Sequence, residues 1–117
     1  MSHYFINDKT LEDDKIYFNY TLNNLTYNFV SNSGVFSHGH VDYATNILLS
    51  NMPEINGSLL DLGCGYGVIG IVLKKQNNLE KVTMADINAR ALDCARENCR
   101  INHVDAEIIE SDCFSNI

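Results

Sequence analysis

The chain is short of positive charge. Eight lysines and arginines stand against fifteen aspartates and glutamates in 117 residues, a net charge of −7. That balance excludes a basic nucleic-acid face spread over the chain, so a grip on RNA needs a local patch or residues outside it. Long apolar runs are also missing: nothing approaches the ~18 consecutive apolar residues of a membrane span. The opening MSHYFINDK lacks the basic and apolar regions of a signal peptide, so the expected compartment is the cytoplasm. Cysteines are few, and Cys64, Cys94, Cys99 and Cys113 form no C-x-x-C pair. Cys94 and Cys99 do not share a helix face, which leaves free, mostly buried thiols rather than a disulfide framework. His38-Gly39-His40 has no further Cys, Asp or Glu at ligand spacing, so no metal is expected. Proline occurs once, at Pro53, and no repeat, low-complexity tract or linker divides the chain. These absences, with an ordinary hydrophobic content of 45%, leave one small globular domain over 1–117.

Glycine is where the sequence becomes specific. In Leu59 to Ile71, LLDLGCGYGVIGI, an apolar strand ends at the acid Asp61, and Gly63, Gly65, Gly67 and Gly70 follow before a second apolar run. The pattern is strand, glycine loop, helix start. Such a loop turns through positive φ and lets a ligand approach the backbone, while the helix N-terminus behind it favours a carboxylate or phosphate. Two frames overlap here. Gly65-x-Gly67-x-x-Gly70 satisfies the dinucleotide fingerprint, with Asp86 as the acid for a ribose, which keeps an NAD-dependent oxidoreductase open. Asp61-x-Gly63-x-Gly65-x-Gly67 is the acid-x-G-x-G-x-G loop of S-adenosylmethionine (SAM) enzymes. The second frame is preferred. It puts Asp61 at the carboxyl end of the strand, where ligands of open α/β sheets bind and an anion can meet an ammonium group.

The rest of the chain alternates regularly. Lys15 to Leu22 and Leu25 to Val30 have period two around Asn23-Asn24, a β-hairpin whose aromatic stripe packs against a core. Ser31 to His40 is a loop. Val41, Ala44, Ile47 and Leu48 predict a helix ending before Pro53. After the glycine loop, Ile69, Val72 and Leu73 face a sheet, with Lys74 and Lys75 at the helix C-terminus. Asn77-Asn78 breaks that helix. Lys81 to Ala85 predicts a strand ending at Asp86, Asn88 caps a helix over Ala89 to Asn102, and Val104 to Ser111 predicts a strand ending at Asp112. A hairpin and helix followed by β-α-β-α-β argue for an α/β fold with a parallel sheet.

Taken together, FSHGHVDYATNILL, LLDLGCGYGVIGI, MADINARALDCARENCRIN and ESDCFSNI resemble the small-domain class I methyltransferases that modify guanine N2 in ribosomal RNA, over nearly the whole chain and in the family's order. The resemblance implies a Rossmann-like class I methyltransferase fold, SAM as cofactor, and ribosomal RNA as substrate. It also implies roles. Asp61, Gly63, Cys64, Gly65 and Gly67 would form the loop holding the methionine part. Asp86 would take the ribose hydroxyls, Ile87 would lie against the adenine, and Asp112 and Cys113 would sit at the adenine edge. Phe36, Ser37 and Thr45 would close the pocket from the N-terminal side.

Two departures from that family stand out. Ala44 replaces the usual glycine before Thr45, and the Asn-Pro-Pro-aromatic motif that holds the guanine amino group has no counterpart up to Ile117. The expectation is therefore the N-terminal part of a methyltransferase, with a hairpin and loop over 1–40, a SAM-binding half over 41–117 and no assignable catalytic residue. Such a part would be inactive alone and prone to self-association through a bare strand edge. A non-catalytic SAM- or nucleotide-binding module is the alternative from another functional class.

Overall fold

The computed structural model describes residues 15–32 and 39–117, so the expectations for Phe36, Ser37 and His38 fall outside it. Strands β1 (Lys15–Leu22) and β2 (Leu25–Asn32) form an antiparallel hairpin in which Leu22 pairs with Leu25. Asn23 and Asn24 make its turn at φ of 51° and 67°, the left-handed region that asparagine tolerates. Helix α1 (Tyr43–Ser50) follows, and then β3 (Gly57–Leu62), α2 (Val68–Gln76), β4 (Leu79–Asp86), α3 (Ala89–Ile101) and β5 (Glu107–Glu110). Strands β3, β4 and β5 form a parallel sheet in that order, so the chain is an α/β protein with an N-terminal hairpin.

Boundaries moved where side chains supplied stops and starts. Asp42 accepts from the Thr45 N–H, so α1 begins after it and not at Val41. Strand β4 starts at Leu79 because its first residue pairs with Gly57, two positions before the expected start of β3. The final strand is shorter than expected. His103, at φ of 58°, and the bond from the Val104 N–H to the Cys99 carbonyl end α3 in a left-handed turn, and Val104 is buried in that turn rather than in a strand.

The core lies between sheet, helices and hairpin. Ile71, Val72, Val82, Met84 and Leu92 are essentially inaccessible, and the hairpin adds Tyr27 and Phe29. Rings of Phe18 and Phe29 meet the Tyr66 ring edge-on, at centroid distances of 5.9 and 6.1 Å. The buried Tyr27 hydroxyl accepts from Gln76 Nε2, and the Tyr20 hydroxyl donates to Asn46. On the other sheet face Leu60 and Leu62 stay 39% and 38% exposed, and among the described residues β3 pairs only with β4. No helix among the described residues is long and apolar enough to cross a membrane.

A second contact joins the hairpin to α3. Asn98 accepts from the Val30 N–H and donates to the Val30 carbonyl, at 2.8 and 2.9 Å. Asn102 repeats the pattern one helical turn on, with the N–H and carbonyl of Asn28 at 3.1 and 2.9 Å. Side-chain amides one turn apart thus continue the hydrogen bonding of β2 on the side away from β1, and that strand edge is satisfied at Asn28 and Val30 without another strand.

The two faces of the hairpin should respond differently to truncation. Phe29→Ala should lower unfolding free energy by about 3–5 kcal/mol, whereas Tyr17→Ala, at a position 69% exposed, should change it by less than about 0.5 kcal/mol. Urea denaturation of the three proteins measures both, and similar losses for the two variants would contradict this packing.

Candidate functional site

The turn from β3 into α2 is built from glycines in an alternating series. Gly63, Gly65 and Gly67 have φ of 70°, 55° and 98°, so each supplies a left-handed residue in a loop of three short steps. A Cβ on Gly65 would meet nothing within 4 Å, which means that this glycine leaves the loop's outer side open. Gly70 differs: it lies inside α2, where a Cβ would stand 2.5 Å from the Met84 side chain and 3.4 Å from Asp61 Oδ2. It lets the helix sit close on β3 and β4.

Asp86 ends β4 and faces this loop. Its Oδ2 accepts from the Gly65 N–H and its Oδ1 from the Asn88 N–H, both at 2.9 Å. The N–H groups of Gly63 and Cys64 both reach the Ala85 carbonyl, and the Gly67 N–H closes on the Cys64 carbonyl. A carboxylate has about four lone-pair positions, so Asp86 keeps acceptor capacity on each oxygen. Asn88 then caps α3 through the N–H groups of Arg90 and Ala91.

Asp86 and Gly63 form the wall shared by two cavities. One, of about 330 Å³, lies over the loop and is lined by Asp42, Thr45, Cys64, Gly65 and Tyr66 among others. The second, of about 320 Å³, is lined by Leu62, Ile87, Ser111, Asp112 and Cys113. A ligand with two blocks joined by a polyhydroxy centre would span them with the centre at Asp86. Within the second cavity Ser111 donates to the Cys113 carbonyl and receives the Asn116 N–H, which shapes the turn bearing Asp112. Ile87 is 62% exposed, an apolar surface beside the acid.

Among the described residues, the expected site residues thus gather in two adjoining hollows, with Asp61 and Gly67 apart from their walls. Asp61 lies one residue before the end of β3, and its carboxylate accepts from the Gly70 N–H at 3.2 Å. Gly67 caps α2. Burial, then the charges of Asp61 and Asp86, pushes the Cys64 thiol up to about 12, so it remains a neutral wall and no nucleophile. No cluster of three or more potential metal ligands occurs among the described residues.

Tyr66 and Asn98 escaped sequence reasoning. Tyr66 stands between two glycines of the loop, yet its ring packs on the hairpin and its carbonyl accepts from Asn98 Nδ2 at 2.8 Å. The available signal for Asn98 was a polar residue on the same face of α3 as Ala91, Ala95 and Cys99.

A family model for the methyltransferase small domain matches residues 26–117. The chain is 36% identical over 118 residues to uncharacterized protein YbxB of Bacillus subtilis (strain 168), covering 98% of this chain and 59% of that protein. It is 50% identical over 84 residues to ribosomal RNA small subunit methyltransferase C of Aeromonas hydrophila, covering 72% of this chain and 25% of that protein. The chain therefore spans less than two thirds of either relative. Among solved structures it matches a T. thermophilus 16S rRNA N2 methyltransferase (RsmC) in complex with AdoMet and guanosine, with a TM-score of 0.74 at 24% identity over 86% of this chain and 29% of that one. That likeness is one of fold.

The buried Asp61 generates a pH dependence. Burial, reinforced by the Asp86 charge and opposed by the Gly70 N–H, raises its pKa from 3.8 to about 6. The folded chain holds this proton more tightly than the unfolded one. Asp61 consequently costs no stability below about pH 4, and its cost grows as pH rises to about 6 and then stays constant. Asp61→Asn keeps an acceptor for Gly70 and removes that slope. In ligand-free protein it should gain about 1–3 kcal/mol over the original chain between pH 4 and pH 7. Urea melts across that range test this, and a gap that does not change with pH would contradict it.

Proposed function

The chain belongs to the methyltransferase small domain family, and from that premise we propose that it binds SAM as the cofactor-binding part of an enzyme methylating guanine N2 in small-subunit ribosomal RNA. One observation carries this reading. Asp86 is fixed by two backbone N–H groups on the wall between two cavities, with acceptor capacity left for a vicinal diol. The ribose would sit at Asp86, the methionine part over Gly63, Cys64, Gly65 and Thr45, and the adenine between Ile87 and the turn at Asp112 and Cys113. The open outer side of Gly65 fits a ligand lying directly on the loop backbone.

Bound there, the sulfonium supplies an electrophilic methyl group. Direct displacement by an exocyclic amine needs alignment and exclusion of water rather than a protein nucleophile, which agrees with the neutral Cys64 thiol. The guanine acceptor rests on relatives of which this chain spans only part, and a base in a helix would have to leave its stack to react. An enzyme acting on ribosomal RNA would work in the cytoplasm. Nucleoside analysis of small-subunit ribosomal RNA methylated by an enzyme containing this domain should give N2-methylguanosine, and a different methylated nucleoside in its place would overturn the acceptor assignment.

The cofactor is tested by calorimetric titration with SAM, S-adenosylhomocysteine (SAH) and NAD. SAM and SAH should bind and NAD should not; binding of NAD alone would favour the dinucleotide frame. Asp86→Ala should weaken SAH by about 1–3 kcal/mol, the scale of lost hydrogen bonds to a charged acceptor. Equal affinities for the two proteins would remove Asp86 from the ribose site.

A further inference from the structure

The glycine loop has little of its own to hold it. Glycine at alternate positions gives it no packed side chains except those of Cys64 and Tyr66, so its shape depends on bonds made by neighbours. Asp86 and the Ala85 carbonyl hold its first half, through the N–H groups of Gly63, Cys64 and Gly65. At Tyr66 the hold on the backbone comes from a different element. Asn98, fully buried on α3, gives one amide hydrogen to the Tyr66 carbonyl and the other to Val30, while its oxygen takes the Val30 N–H.

We propose that Asn98 is a positioning residue for the cofactor: it ties the glycine loop to the edge of the hairpin, and the docked hairpin thereby sets the loop geometry that SAM meets. The proposal rests on the SAM reading above for its ligand, but not for the mechanical link. Three features make the link directional. Both amide hydrogens and the oxygen of Asn98 are in use, so the side chain cannot rotate without leaving buried backbone groups unpaired. The hairpin acts on Tyr66 a second time, because Phe18 and Phe29 hold its ring. Asn102 makes the same paired bonds to the same strand edge but bonds onward to the Asn98 backbone carbonyl, not to the loop. It is a natural control for what loss of the hairpin clamp alone does.

The test compares Asn98→Ala and Asn102→Ala in the full chain. Hydrogen exchange of the Gly65 and Gly67 amides, read by NMR without ligand, reports the loop; titration with SAH reports the site. Both variants should melt lower than the original chain. Only Asn98→Ala should exchange these two amides about tenfold faster than Asn102→Ala and bind SAH about tenfold more weakly, whereas Asn102→Ala stays within about twofold of the original affinity. Equal exchange or equal affinity loss in the two variants would overturn the proposal and leave Asn98 a structural residue. Faster exchange in Asn98→Ala, with no SAH binding even by the original chain, would instead overturn the SAM reading while the link to the loop stands. If Asn98→Ala does not fold, Asn98→Ser, which keeps a hydroxyl but cannot span Val30 and Tyr66, replaces it under the same criteria.

Discussion

The structure depends on the need to hold a glycine-rich backbone in one shape. Glycine gives the turn after β3 its left-handed residues and its open surface, and it also leaves that turn with the largest conformational entropy to lose. The neighbours offset that loss with directed hydrogen bonds. Asp86 takes the Gly65 N–H, the Ala85 carbonyl takes two more, and Asn98 takes up the Tyr66 carbonyl from the far side. Each belongs to an element whose position is set by the parallel sheet or by the helix packed on it. The carboxyl ends of β3 and β4 can therefore carry an open surface without becoming loose.

This arrangement explains why much of the fold and site was legible from the chain alone. Period-two patterning in the hairpin, the Asn23-Asn24 turn, the acid-glycine series and the Asn88 cap each act through local chemistry, and each element formed there, although β2 runs on through Ser31 to Asn32, where the sequence pattern predicts a loop. The family resemblance pointed the same way, and the methyltransferase small domain match extends over residues 26–117. Boundaries were less legible. The start of β4 depends on pairing with Gly57, and the length of β5 depends on how α3 terminates at His103. Gly57 is far in sequence from Leu79, and the left-handed turn at His103 leaves no mark in the hydrophobic pattern. The support of the site was least legible. Asn98 and Asn102 look like ordinary polar residues of an exposed helix turn until the edge of β2 is laid beside them.

The two acids near the loop have different surroundings. Asp86 sits between backbone donors at the cavity wall, in position to accept from a ligand. Asp61 has the Gly70 N–H and a low-dielectric setting, and burial dominates its chemistry. Because the two stand on neighbouring parallel strands, the charge of Asp86 raises the cost of charging Asp61. Conditions that change the ionisation of Asp61 therefore alter the field around the loop without touching the cavity lining.

The paired asparagines also bear on how the molecule assembles in time. A hairpin closed by a two-residue turn forms within about 1–10 μs, but its bonds to Asn98 and Asn102 join positions 68 and 74 residues apart. Such contacts come after the entropy of a long chain closure has been met, so docking of the hairpin must follow the helix that receives it. The glycine loop is held at Tyr66 by a residue of α3 that lies 32 positions further on, so a nascent chain would have that turn in final form only after α3 had been made.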